Sequence, residues 1–298
     1  MISAQMVKDL REKTGAGMSD CKKALTEAEG NMERAVEILR EKGLSALAKK
    51  AGKNATEGLS YAVAEGNKAV VLEINSQTDF VAKNDIFVQF VADVAKQILN
   101  GTADSVETLL AEQWSLDTNL TVENALSEKV ALIGEALSIR RFERVTSDNT
   151  LVTYVHAGGK VAVITELTGS GEAVVEAGKN VSMQIAAMSP QFISREDVDA
   201  DYIAKEKKFL TDQAIAESPG TPENIIEKKI EGRLTKNLKQ VCLLEQDYVK
   251  DDKQSVTAYL KTVGVDVTVA NFVRFETGEG MEKAEVDFAA EVAEAMKG

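Results

Sequence analysis

The feature that most constrains this chain is a repeat. Residues 61–74, YAVAEGNKAVVLEI, align without a gap on residues 154–167, YVHAGGKVAVITEL, at an offset of 93 with six of fourteen positions identical. In the first copy, two apolar runs of period two flank a Gly-Asn turn, the pattern of a β-hairpin. Residues 86–99 follow with apolar side chains at 87, 88, 91, 94, 95 and 98, a helical period. In the second copy a helix is expected over 180–188. A chain that carries a hairpin-helix unit twice builds its core from two related halves, so the expected fold class is α+β.

The flanking segments read differently. Residues 3–43 predict a three-helix module, its first helix capped by Ser3, its second by Ser19, and its third running over 32–41. We expect this module over 1–47 and a Lys-rich linker over 48–56. The first core unit is expected over 57–138, mostly helical after residue 106 with a polar interruption near 117–119. The second takes 139–193 and 240–276. Its first strand is expected at 139–145 and its last at 268–275. Between its two parts, 194–239 predicts an antiparallel helical hairpin with Ile203, Phe209 and Ile215 facing Ile226, Ile230 and Leu234. A short module with a last helix at 286–296 completes 277–298.

Composition narrows the function. The formal net charge is −13, which disfavours direct contact with nucleic acid, because phosphate binding needs clustered Lys and Arg. The two cysteines, Cys21 and Cys242, and the single His156 are too few and too scattered for a zinc site, and no metal or cofactor is expected. There is no stretch for a membrane span and no export-type amino terminus, so an intracellular protein is expected. The sequence carries no GxxxxGK[ST] loop, GxSxG elbow or HExxH pair, and Gly169-Ser-Gly171 reads as a turn. Asp79 and Asp85 stand where carboxylates assist helix starts, which favours a capping reading over acid-base chemistry. An enzyme is the weakest class.

One junction stands out. NSQTDFVAKND, residues 75–85, places Phe80 among polar neighbours between hairpin and helix. Local pattern leaves two readings open, a staple tucked under the next helix or an exposed anchor for a protein partner. At the matching positions the second copy has Glu172 and Ala173, which argues against a purely structural Phe80. His156 shares a strand face with Tyr154 beside a Gly-Gly turn and reads as an edge residue.

In four separated motifs the chain resembles the bacterial elongation factor Ts family: LREKTGAGMSDCKKALTEAEGNMERAVEILREKG (10–43), VLEINSQTDFVAKND (71–85), YVHAGGKVAVI (154–164) and NFVRFETGEGMEKAEVDFAAEVA (271–293). The resemblance implies an amino-terminal module of ubiquitin-associated type, a core of two related subdomains, a protruding coiled-coil hairpin and a small carboxy-terminal module. It implies a cytoplasmic guanine nucleotide exchange factor that binds elongation factor Tu, GDP-bound and nucleotide-free, without chemical catalysis. In that family the motif matching Thr78, Asp79, Phe80 and Val81 meets the partner's nucleotide-binding domain and displaces Mg²⁺. His156, Lys8, Arg11 and Met18 match further partner contacts. Ser19 departs from the Met often found there, and the segment around Trp114 to Asn124 has no assigned role. A homodimer or a 2:2 complex stays open. The competing class is a non-catalytic adaptor that binds a partner through the helical module and hairpin.

Overall fold

The computed structural model describes residues 2–50, 55–217, 222–264 and 266–281, so the helix expected at 286–296 lies outside the described residues. Helices α1 (Ala4–Thr14), α2 (Met18–Glu27) and α3 (Met32–Lys50) open the chain and enclose Leu10, Cys21, Ala24, Leu25 and Ala35. Ser3 caps α1 as expected, its hydroxyl accepting from the Met6 amide at 3.2 Å. Ser19 does not cap α2; Gly17 precedes that helix and Ser19 lies inside its first turn. Helix α3 runs through Glu41 to Lys50, into the expected linker. Ala and Lys, which dominate that segment, are strong helix formers, and Gly43 there lacks the side chain that would crowd a neighbouring helix.

The first core unit contains β1 (Glu57–Glu65), β2 (Lys68–Ser76), α4 (Asp79–Ala82), α5 (Asp85–Asn100), α6 (Val106–Ala111), α7 (Val122–Ile133) and β3 (Leu137–Thr146). Its sheet has the order β1-β2-β3, antiparallel throughout. Strand β3 therefore completes the first sheet, and the boundary expected between 138 and 139 cuts a strand that belongs with β2. In α5, Phe87, Phe90, Val91, Val94 and Ile98 face inward, while Val88 points out. Trp114 belongs to a closing loop: its amide donates to the Leu120 carbonyl at 2.8 Å, and its ring lies 6.0 Å from Phe90. That burial accounts for the Trp114 segment as a plug on the first core.

The second unit repeats the plan with β4 (Thr150–His156), β5 (Val161–Leu167) and α8 (Glu172–Met188). Helix α8 begins eight residues before the expected 180, because residues 172–179 already present Val174 and Ala177 to the core. Then follow α9 (Ala200–Glu217) and α10 (Glu223–Val241). Their polar pairs, Lys229 and Arg233 with Glu217 and Asn237 with Glu206, set them antiparallel. Leu210, Ala214, Ile230 and Leu234 are buried between them, with Ile203 and Ile226 partly so. Phe209 and Ile215 are 62% and 52% exposed, against expectation. The inward stripe of α9 runs 203-210-214, and positions one residue off that stripe rotate outward. Strands β6 (Asp247–Tyr248) and β7 (Asp251–Ser255) and helix α11 (Val256–Val263) lead to β8 (Val269–Glu276), which completes the sheet β4-β5-β8.

The two sheets pack face to face through mostly small and branched residues, Ala62, Ala69 and Val71 against Ala162, Ile164 and Val273, with the Phe275 ring among them. Helices cover the outer face of each. A central strand in such a stack is buried on both sides, which is why β2 and β5 read as continuous apolar runs.

The repeat is visible in its irregularities as well. Register slips at Glu73/Ile74 in one sheet and at Glu166/Leu167 in the other, the same position of each copy. Each glutamate reaches the segment that follows the third strand of the opposite sheet. Glu73 accepts from the Gly278 amide at 2.7 Å, after β8; Glu166 accepts from Ser147 at 2.6 Å and Asn149 at 2.7 Å, after β3. Glu73 is fully buried and also accepts from Asn75, Arg140 and Arg141 at 2.7–3.1 Å. Burial pushes its carboxyl up, but the Gly278 amide, Asn75 and the two guanidinium groups outweigh that and hold it below its ordinary value. A carboxyl depressed on folding contributes stability that is complete above its unfolded pKa and is lost as pH falls through the folded one. Glu73→Gln should therefore lower the unfolding free energy by about 3 kcal/mol at neutral pH, by urea titration, and the gap to the parent should narrow on the acid side.

Candidate functional site

Where α8 starts as one continuous helix, the first unit breaks the equivalent helix in two. Thr78 caps α4, accepting from the Val81 amide at 3.4 Å, and after four residues the helix ends at Lys83. Asn84 then caps α5 with its side-chain oxygen on the Ile86 amide at 2.9 Å. The second copy has Ala177 at the position of Asn84, a helix former buried against the sheet, and there the helix runs on. The break turns α4 aside. Val81 and Ala82 stay in the core, whereas Phe80 is 80% exposed. That exposure rules out the staple reading.

The turn is clamped from the end of α7. Gly134, in the left-handed conformation that glycine adopts at low cost, ends that helix and sends Glu135 toward α4. The Glu135 carboxylate accepts the Thr78 amide at 3.1 Å and the Thr78 hydroxyl at 2.9 Å, while the Gln77 side chain accepts the Ala136 amide at 2.8 Å.

Asp79 is exposed and paired with Lys83 at 2.7 Å. Lys83 holds its carboxyl below the usual value, with Lys160 adding a second positive charge. Lys160 comes from the other unit, on the turn after β4, where it pairs with Glu57 at 2.5 Å. That turn is fixed to the first unit by the Ser60 amide, which donates to the Gly159 carbonyl at 2.7 Å. His156, exposed at the end of β4, stacks obliquely on Tyr154 and bonds its hydroxyl through Nδ1 at 2.8 Å. Both halves thus contribute to one neighbourhood, Phe80 and Asp79 from the first, Lys160 from the second, with His156 at the start of the same turn.

Lys8, Arg11 and Met18 gather separately, along an open depression on the amino-terminal module that also includes Gly15. Met18 is 48% exposed. The module is docked on α7: Gly15 lies against Leu132, and Gly43 of α3 lies so near Ser127 that an added Cβ would sit 3.1 Å from its hydroxyl. Arg40 faces Glu128 at 3.9 Å across the same seam. Burial raises the Glu128 carboxyl above its ordinary value, Arg40 partly offsetting it.

Sequence reading singled out Thr78, Asp79, Phe80 and Val81 but not Glu135 or Lys160. A Glu directly after a helix-ending Gly has no helical role, and that was the one local signal for Glu135. Among the described residues no group of three or more His, Cys, Asp and Glu side chains is placed to hold a metal ion, and no helix is long and apolar enough to cross a membrane.

Fold and site together define a two-unit α+β protein that exposes Phe80, Asp79, Lys160 and His156 where its units meet. The family model described as Elongation factor TS matches residues 77–279. The elongation factor Ts of Clostridioides difficile strain 630 is 51% identical over 304 residues, covering 99% of each chain. Those of Clostridium perfringens strain SM101 and Clostridium novyi strain NT are 50% and 47% identical, covering 98% and 99% of each chain. The chain belongs to the elongation factor Ts family, and its role lies in translation elongation.

An exposed side chain contributes little to folding. Phe80→Ala should shift the unfolding free energy by no more than about 0.5 kcal/mol, while Phe87→Ala, seven residues on and fully buried, should cost about 3–5 kcal/mol. Chemical denaturation of both variants checks the contrast.

Proposed function

We propose that this protein is a guanine nucleotide exchange factor that binds elongation factor Tu·GDP and promotes GDP release by disturbing the Mg²⁺ and phosphate site, without chemistry of its own. The observation that carries this reading is Phe80: a large aromatic held 80% exposed on a clamped turn, at a motif the family uses for that contact. Transferring such a side chain from water into a partner stabilises the bound state by roughly 1.5–3 kcal/mol. Each 1.4 kcal/mol is worth about a factor of ten in an equilibrium.

A GTPase holds its diphosphate through Mg²⁺ and phosphate-loop amides. A factor that favours the partner conformation with that site deformed weakens GDP binding. By linkage, nucleotide weakens the factor by the same ratio, so incoming GTP releases it. Asp79 and the Thr78 and Val81 backbone would frame the Phe80 contact, with His156 entering nearby and Lys8, Arg11 and Met18 touching the nucleotide-binding domain. The first 47 residues would act as a ubiquitin-associated-type docking module, and 194–239 as a coiled-coil arm. The work would take place in the cytoplasm on elongation factor Tu, GDP-bound and nucleotide-free, with no cofactor, nucleic acid or membrane involved.

Substoichiometric amounts of the purified protein should accelerate release of fluorescent GDP from elongation factor Tu in a stopped-flow chase. Phe80→Ala should slow that acceleration at least about tenfold if most of its burial energy is spent in the exchange step. Binding without any acceleration would instead identify an adaptor.

A further inference from the structure

Four residues of helix cannot hold their own shape, because the first turn costs more conformational entropy than its single hydrogen bond returns. The geometry of α4 must come from its neighbours. The β2–β3 ladder ends at the pair Ser76 and Leu137, and beyond it the two chains remain joined through side chains. Gln77 accepts the Ala136 amide, and Glu135 accepts both the amide and the hydroxyl of Thr78. The Thr78 hydroxyl has one proton. Given to Glu135, it leaves a lone pair aimed at the Val81 amide, which is the cap of the turn that carries Phe80.

We propose that Glu135 is a positioning residue for Phe80: its carboxylate fixes the Thr78 cap and so sets the direction in which the aromatic is presented to the partner. The inference rests on the nucleotide-exchange reading above. A carboxylate is required because two donors face it. A Gln at 135 would keep one acceptor and turn an amide N–H₂ toward one of those donors; an Asp would fall short by one methylene. The same end of α7 carries Leu132, against which Gly15 of the amino-terminal module rests. One helix terminus thereby fixes both the Phe80 turn and the depression lined by Lys8, Arg11 and Met18.

A double-mutant cycle tests this. GDP release from elongation factor Tu is followed with the full-length parent, Glu135→Ala, Phe80→Ala and the double variant, and each variant's thermal midpoint is recorded. Glu135→Ala should slow release about tenfold in the parent background and hardly at all once Phe80 is gone, since a residue acting through Phe80 has nothing left to position. Thr78→Val, which removes the hydroxyl that joins Glu135 to the Val81 amide, should behave like Glu135→Ala. Equal slowing in both backgrounds, or no slowing in the parent, overturns the positioning role and leaves the exchange reading standing. A parent that does not accelerate release overturns both. If Glu135→Ala melts far below the parent, Glu135→Gln takes its place in the cycle and is read the same way.

Discussion

Glu73 surrenders all contact with water at the seam between two sheets and recovers it as hydrogen bonds from Asn75, Arg140, Arg141 and the Gly278 amide. A buried ion pair seldom beats a hydrophobic substitute in raw stability, but losing one partner of an existing pair is costly, so such a network fixes one arrangement against its alternatives. What it fixes here is the relation of the two halves. Arg141 also reaches the Glu276 carbonyl at 3.1 Å, and its guanidinium lies 4.2 Å over the Phe275 ring. Glu166 performs the reciprocal task, with its partners after β3. The small residues between the sheets bring the halves close, and the glutamates set their register.

That register has a functional consequence. Asp79 and Phe80 come from the first unit, His156 and Lys160 from the second, and their spacing is only as constant as the seam between the sheets. The duplicated scaffold also explains why only one copy displays an aromatic. Asn84 interrupts the helix after four residues in the first unit, whereas Ala177 lets α8 continue in the second. A single capping residue thus separates a continuous helix start from a turn that exposes its aromatic.

Much of this was legible in the sequence. The repeat gave the hairpins, their turns and the α+β class, and the polar surroundings of Phe80 marked it as unusual. What stayed hidden was hidden for physical reasons. Strand β3 looked like the start of the second unit because neighbours in sequence need not share a sheet. The outward Phe209 and Ile215 carried the right residue type at the wrong phase, and composition cannot tell an apolar residue on the stripe from one beside it. Strands β6 and β7 are two and five residues long, and β7 is polar throughout, so they carry no period. Glu135 and Lys160 act across 57 and about a hundred residues of sequence, through contacts that only the fold creates.

The central claim is that Phe80, held out by a clamped turn, is the side chain that meets the partner beside its nucleotide site. The most direct measurement places a photoreactive phenylalanine analogue at position 80 and maps its cross-links to elongation factor Tu·GDP by peptide mass spectrometry, with the same analogue at the exposed Phe209 as comparison. The account predicts cross-links from position 80 to peptides flanking the Mg²⁺ and phosphate site, absent from position 209. Cross-links from position 80 confined to regions remote from the nucleotide would contradict it.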